Sequence, residues 1–286
     1  FFEYRKNITE FKTFQLQYQL EKSLTEEENF HPASLIAGNA TVLQTSTQIK
    51  FPLSNQIRLV YLSNNILKGT QLLLSISHSK DFSPNTVSSY FSPEYSTYMM
   101  LPGDKSILTT VNVNGEKYIK VLKSKVKIEC QGMFARRNIY INNILKDNIL
   151  NSASTQFKWI TAFPLPVNIE LSARVSYFEN YTVTQANIKN QLSQYQGYGK
   201  MKINFSQRFY SSIFYNYYLL ATNNSFKKID IYAVIKATKN CSISLTVHNL
   251  LNTSKIEQKT ISPTSTDINE FQLIQRYFLG KISFSF

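Results

Sequence analysis

Val167-Asn168-Ile169-Glu170-Leu171-Ser172-Ala173-Arg174-Val175-Ser176-Tyr177 is the stretch that decides the fold class. Its odd-numbered residues are apolar or aromatic, and its even-numbered ones are all polar. Successive Cβ atoms of an extended chain point to opposite sides, so this period of two makes one dry face and one wet face on a strand. The same alternation appears in Cys241, Ile243, Leu245 and Val247 against Ser242, Ser244, Thr246 and His248. It recurs in Met201, Ile203 and Phe205 against Lys200, Lys202 and Asn204, and in Val126, Ile128 and Cys130 against Lys125, Lys127 and Glu129. Near the start, Phe14, Leu16, Tyr18 and Leu20 alternate with Gln15, Gln17, Gln19 and Glu21.

The composition agrees with β structure. In 286 residues there are 20 Phe and 18 Tyr but only 8 Gly and 8 Pro, an aromatic-rich chain short of the punctuation that helical and α/β proteins use. No run approaches the roughly 18 apolar residues of a spanning helix, so any membrane crossing must be made by strands. A mean hydropathy of −0.23 is compatible with that, because lipid-facing and lumen-facing residues average out along a barrel strand. The opening Phe1-Phe2-Glu3 has no initiator Met, charged n-region or signal-peptide core, and further chain is expected upstream.

The connections between alternating segments are short and long by turns. Phe163-Pro164-Leu165-Pro166, Ser206-Gln207-Arg208 and Thr238-Lys239-Asn240 are short, whereas residues 21–55, 81–104, 183–192 and 251–271 are long and rich in Ser, Thr, Asn and Pro. Short periplasmic turns and long extracellular loops are the plan of an outer-membrane barrel. Strands are predicted at about 11–20, 56–63, 70–80, 105–114, 118–134, 148–162, 167–182, 193–205, 208–222, 226–237, 240–250 and 272–286. Residues 40–51 are read as part of an extracellular excursion. The fold class is therefore all-β, a transmembrane antiparallel β-barrel with about twelve strands in this chain, the first running outward and the last inward. Phe157, Trp159 and Phe163 at one short turn, and Phe205, Phe209 and Tyr210 at another, are placed as an interfacial girdle. A soluble β-sandwich would also bury aromatics, but it does not call for so many long strands in one meander.

The end of the chain carries a motif. Ile243-Ser244-Leu245-Thr246-Val247-His248 runs into Asn249-Leu250-Leu251-Asn252-Thr253, and after a loop comes Gln275-Arg276-Tyr277-Phe278-Leu279-Gly280-Lys281-Ile282-Ser283-Phe284-Ser285-Phe286. This ending resembles that of TonB-dependent receptors, and more closely the related outer-membrane barrels of Bacteroidota. The turn Asn64-Asn65-Ile66-Leu67-Lys68-Gly69 and the segment Tyr118-Ile119-Lys120 with Leu122-Lys123 look familiar in the same way. The resemblance implies a 22-stranded barrel, of which residues 1–286 would be the C-terminal portion, with the N-terminal plug and early strands outside this sequence. It implies location in the outer membrane of a Gram-negative bacterium and import of a substrate. The alternative is a barrel that has lost transport and scaffolds a cell-envelope complex. The partners implied are outer-membrane lipids, the barrel-insertion machinery, TonB, and a SusD-like lipoprotein or another envelope protein. Phe278, Ile282, Phe284 and Phe286 are the expected membrane-assembly signal, with Gly280 one residue earlier than the usual signal places it. Facing lipid with them leaves Tyr277, Leu279, Lys281, Ser283 and Ser285 toward the lumen.

No catalytic, cofactor or metal chemistry is legible. His31, His78 and His248 have no carboxylate or second histidine at triad or ligand spacing, and Cys130 and Cys241 make neither a disulfide framework nor a zinc site. Gly115, Gly132, Gly197 and Gly199 form no phosphate-cradling loop. No enzyme, cofactor or metal is expected. The 31 basic residues outnumber the 18 acidic ones, for a formal charge of +13. Lys125, Lys127, Arg174, Lys200, Lys202, Lys228 and Lys236 are placed on lumen faces, where they could attract anionic solutes, while basic residues at strand ends would snorkel to lipid phosphates. The second reading is the plainer. Dispersion of the charge along strands argues against nucleic acid as a partner.

Overall fold

The computed structural model describes residues 1–22, 35–36, 41–45, 53–82, 84–91, 96–164, 166–183, 188–206, 208–220, 225–238, 240–261 and 266–284. The chain opens with a hairpin, β1 (Phe2–Thr9) and β2 (Lys12–Lys22). The short strands β3 (Leu35–Ile36) and β4 (Thr41–Thr45) precede a second hairpin, β5 (Leu53–Asn65) and β6 (Thr70–Phe82). A small pair, β7 (Asn85–Phe91) and β8 (Ser96–Pro102), comes before β9 (Lys105–Ile119). Long strands follow: β10 (Ser124–Ile141), β11 (Ile144–Thr161), β12 (Val167–Thr182), β13 (Ile188–Asn204), β14 (Phe209–Leu220) and β15 (Ser225–Lys236). The chain closes with β16 (Cys241–His248), a hairpin of β17 (Lys255–Ile261) and β18 (Thr266–Gln272), and β19 (Tyr277–Phe284).

Thirteen of these make one continuous antiparallel wall in the order β1-β2-β5-β6-β9-β10-β11-β12-β13-β14-β15-β16-β19. Every neighbour in the wall is also the next long strand in sequence. The remaining strands belong to excursions at one end. There β4 pairs in parallel with β8, and β7 pairs in parallel with the tip of β10. Residues 40–51 do lie in such an excursion, as far as Thr41–Thr45 shows. Among the described residues no pairing joins β1 to β19, so the wall has two edges.

Turn chemistry fixes the register. At the β5–β6 turn Gly69 sits at φ 58, where an added Cβ would stand 2.9 Å from that of Tyr118, and Asn65 Oδ1 accepts the Lys68 N–H at 2.9 Å. At the opposite end Asn142 and Asn143 have φ 48 and 64, the two left-handed residues of a two-residue hairpin turn.

The register separates two faces. Lys158, Ser172 and Tyr198 lie across from one another on one side, and Trp159, Leu171 and Gly199 on the other. The apolar side carries Val126 to Phe134, Val167 to Val175 and Tyr195 to Ile203 at alternate positions, nine residues from first to last on each strand. That matches the roughly 9–11 residues a tilted strand needs to cross a hydrocarbon core. Toward the excursion end the same side turns polar, with Arg136 bonded to Asp147 and Lys189 Nζ 2.8 Å from Glu179. No second layer covers the apolar side among the described residues. Of the buried hydrophobic residues among those described, Ile139, Leu192 and Val234 point to the polar side and Val247 alone to this one, where Phe157 is 45% exposed and Leu171 and Val175 are each 46% exposed. A water-soluble sheet does not leave so large a continuous apolar face uncovered.

Several expectations are corrected. β1 lies ahead of the first predicted strand, which brings the wall to thirteen strands, in keeping with the about twelve expected, and reverses the direction of the first; Lys6 on its apolar side interrupts the alternation that would reveal it. β9 and β10 meet in a turn at residues 120–123 rather than near 115–117, and β10 and β11 extend through 135–147 to a tight turn. β13 starts at Ile188, and the predicted strand 272–286 is divided, because Gln272 ends β18 and β19 starts at Tyr277. Tyr210 cannot join the girdle with Phe209, since neighbours on a strand face opposite ways. It meets Tyr232 on the polar side at 6.3 Å between centroids, while Phe205 and Phe209 stack at 4.9 Å.

Candidate functional site

The polar side of the wall is a network of ion pairs and hydrogen bonds, some between strands and some within one. Lys125 Nζ is 2.6 Å from Glu116, Lys158 is 2.6 Å from Glu170, Lys228 is 2.9 Å from Asp230, and Lys127 contacts Glu129. Gln156 Nε2 donates to Ser172 Oγ at 2.9 Å. Lys200 lies over the Phe214 ring at 5.0 Å. The register puts Lys125, Lys127, Arg174, Lys200, Lys202, Lys228 and Lys236 together on this side, as expected, and the acidic neighbours neutralise several of them.

Over this side lies the β17–β18 hairpin, whose β17 packs against β13 and β14. Lys255 Nζ sits 2.6 Å from Glu270 across the hairpin, and that hydrogen bond, then the carboxylate's charge, raises the ammonium pKa above its usual value. Beneath the hairpin are two cavities. One, of about 570 Å³, is lined by Arg174, Lys259, Gln131, Gln194 and small hydroxyl and apolar residues. The other, of about 460 Å³, is lined by Arg174, Tyr198, Asn216, Lys228, Ile256 and Leu273. Arg174 borders both.

The Asn249-Leu250-Leu251-Asn252 motif ties the base of this hairpin to the wall. Asn249 and Asn252 have φ 51 and 55, a conformation asparagine tolerates. The Asn249 side chain is 1% exposed. It donates to the carbonyls of Thr253 at 2.8 Å and Ile274 at 3.0 Å, and accepts the Thr253 N–H at 3.1 Å. Asn252 Oδ1 accepts the N–H of Arg276 at 3.0 Å. Both ends of the excursion are thus held together where β16 leaves the wall and β19 enters it.

Of the histidines, His31 lies outside the described residues. His78 Nδ1 meets Thr109 Oγ1 at 2.9 Å. His248, isolated in sequence, has Asp230 Oδ1 at 3.1 Å from its Nδ1, and its ring is 4.9 Å from that of Tyr277. Among the described residues no group of three or more His, Cys, Asp or Glu side chains could hold a metal. In β19, Phe278, Ile282 and Phe284 project to the apolar side opposite Val247, Ile243 and Cys241 and are 66%, 62% and 65% exposed. Phe286 lies outside the described residues.

The long antiparallel meander with one dry and one wet face has counterparts among solved structures. A ferric enterobactin receptor mutant of Pseudomonas aeruginosa, PfeA, in complex with enterobactin aligns with 87% of this chain at a TM-score of 0.52 and 8% identity. The fold is that of a TonB-dependent receptor barrel. The same receptor in complex with BCV-L6 aligns over 86% of the chain at a TM-score of 0.50 and 9% identity. The ferric yersiniabactin uptake receptor FyuA of Yersinia pestis aligns over 95% at a TM-score of 0.47 and 8% identity. The chain spans about 42% of the length of the first receptor, 41% in its BCV-L6 complex and 47% of FyuA. No protein-family model and no curated protein matches the sequence. In a receptor barrel the polar side is the one that faces the lumen, and the hairpin lies on the polar side of this wall. Sequence reasoning missed Lys259 and the hairpin, because Lys255–Ile261 has no alternation, its two isoleucines falling on opposite parities, and lies within a Ser- and Thr-rich stretch.

Proposed function

We propose that this chain is the C-terminal portion of a receptor-type barrel in the outer membrane of a Gram-negative bacterium, and that the complete protein imports a polar substrate through its lumen. The observation that carries the proposal is the single-layer wall, apolar over nine residues on one side and ion-paired on the other, with a hairpin laid across the polar side. The free edges of β1 and β19 suit pairing with upstream strands of the same barrel, since an unpaired edge in lipid leaves backbone groups unsatisfied. A plug and a TonB-type partner would supply energy coupling, and a SusD-like lipoprotein is the kind of envelope partner that would bring substrate to the loop end.

Import is tested by following depletion of solutes from a defined medium by cells that carry or lack the intact protein. At least one polar solute should disappear ten or more times faster when the protein is present. Equal depletion of every solute, with loss only of an envelope complex, would reject import in favour of a scaffold.

Phe278, Ile282, Phe284 and Phe286 are proposed as the signal read by the insertion machinery. Removing Phe284-Ser285-Phe286 should cut the amount assembled in the outer membrane at least tenfold, whereas Lys281→Gln, on the lumen side, should leave it unchanged. Immunoblots of outer-membrane fractions give the answer, and normal levels of the truncated protein would end the assembly role.

A further inference from the structure

We infer that Arg174 and Lys259 form an anion-binding site in the lumen, where the inserted hairpin meets the wall, and that its ligand is a small polar solute bearing a carboxylate or phosphate. This inference rests on the reading of the polar side as a lumen. Arg174 comes from the middle of β12 and Lys259 from β17, and both are half-buried in the lining of the 570 Å³ cavity. No aspartate or glutamate is among the described residues that line that cavity. The contrast with four paired lysines on the same side of the wall gives the pair meaning. Lys125, Lys127, Lys158 and Lys228 each have a carboxylate within ion-pair distance, whereas the cross-strand neighbours of Arg174 are Gln156 and Gln196, and its bond to Ser154 Oγ is long at 3.5 Å.

Two like charges facing one cavity whose described lining carries no carboxylate repel each other, and an oxyanion between them relieves that repulsion. A guanidinium offers a planar fork suited to a carboxylate or phosphate, and an ammonium adds a point charge beside it. The remaining lining fits the uncharged part of a hydroxylated solute. Gln131 and Gln194 offer amide donors and acceptors, Ser152 and Ser176 offer hydroxyls, and Phe178 gives an apolar surface. The volume lies in the range that holds a small molecule rather than a polymer segment. Because the second cavity shares Arg174, a solute released from Lys259 moves along the same guanidinium toward Tyr198 and Asn216.

The test is isothermal titration of the intact, detergent-solubilised protein with glucose 6-phosphate, gluconate and glucose, which share size and hydroxyl content and differ in the charged group. At least one of the two anions should bind ten or more times more tightly than glucose. Binding of the phosphate alone identifies a phosphorylated ligand class, and of gluconate alone a carboxylate class. Arg174→Gln and Lys259→Gln should each weaken the anion at least tenfold, with Arg174→Lys recovering part of the loss and Lys236→Gln changing nothing. Lys259→Gln lies on the hairpin, outside the wall, and keeps the test valid if the wall variant fails to fold. Equal binding of all three probes, binding of none, or anion affinity unchanged by Lys259→Gln would overturn the site. Anion binding that persists in a protein that depletes no solute would reject import and leave the site standing.

Discussion

Leu171→Arg is expected to destabilise the folded barrel by about 2–4 kcal/mol, the cost of an arginine at the bilayer midplane of a barrel wall. Leu171 is the middle member of the apolar series Val167, Ile169, Leu171, Ala173 and Val175, and it stands between Trp159 and Gly199 on the neighbouring strands. An arginine there has no lumen to turn into, since a one-residue shift of β12 would turn its whole apolar set inward. Ser172→Arg, one residue on, points into the lumen and should cost no more than about 1 kcal/mol, the loss of its bond from Gln156. If the apolar side faced water, Leu171→Arg would belong to that same small class, because Leu171 is 46% exposed within the chain. Urea unfolding of the intact protein in lipid vesicles, with both variants side by side, gives the difference directly.

Asn249→Ala should lower stability by about 3 kcal/mol or more, because three side-chain hydrogen bonds of about 1 kcal/mol each are lost inside a site closed to water. Alanine also pays for the left-handed conformation at φ 51, which adds roughly 1 kcal/mol. Asn249→Gly accepts that conformation and loses only the side-chain bonds, so the two variants divide the backbone from the side-chain contribution. The loss should appear first as freeing of the β17–β18 hairpin, whose two ends Asn249 holds together, and therefore as faster proteolysis between residues 250 and 276 than elsewhere. Uniform proteolysis along the chain, or a stability equal to that of the parent, would show that the motif does not clamp the excursion.

What the sequence revealed and what it hid follow from the range of the interactions involved. Alternation is local, and strands such as Val167–Thr182 announce themselves because each face meets a different solvent along its length. β1 did not, because Lys6 stands where an apolar residue would complete its pattern. The tight turn at Asn142-Asn143 was hidden because β10 and β11 run past the lipid band, where both sides become polar and the period of two fades. The pairing of His248 with Asp230 joins residues on adjacent strands, and the presence of Arg174 and Lys259 in one cavity lining depends on how the hairpin lies over the wall. Neither is written in spacing. The Asn249-to-Asn252 motif was legible as a family ending, but its work as a clamp on Ile274 and Arg276 required the fold.

The central claim is that alternate residues of one strand face lipid and a water-filled lumen, and β12 offers its most direct measurement. Single cysteines are introduced in turn at residues 169 to 176 of the intact protein, with Cys130 and Cys241 replaced by serine, and nitroxide labels are tested in vesicles against oxygen in lipid and a nickel chelate in water. Labels at Ile169→Cys, Leu171→Cys, Ala173→Cys and Val175→Cys should favour oxygen, and those at Glu170→Cys, Ser172→Cys, Arg174→Cys and Ser176→Cys should favour the chelate, with a period of two throughout. Chelate access at every position, or accessibility that does not alternate, would contradict a membrane barrel wall.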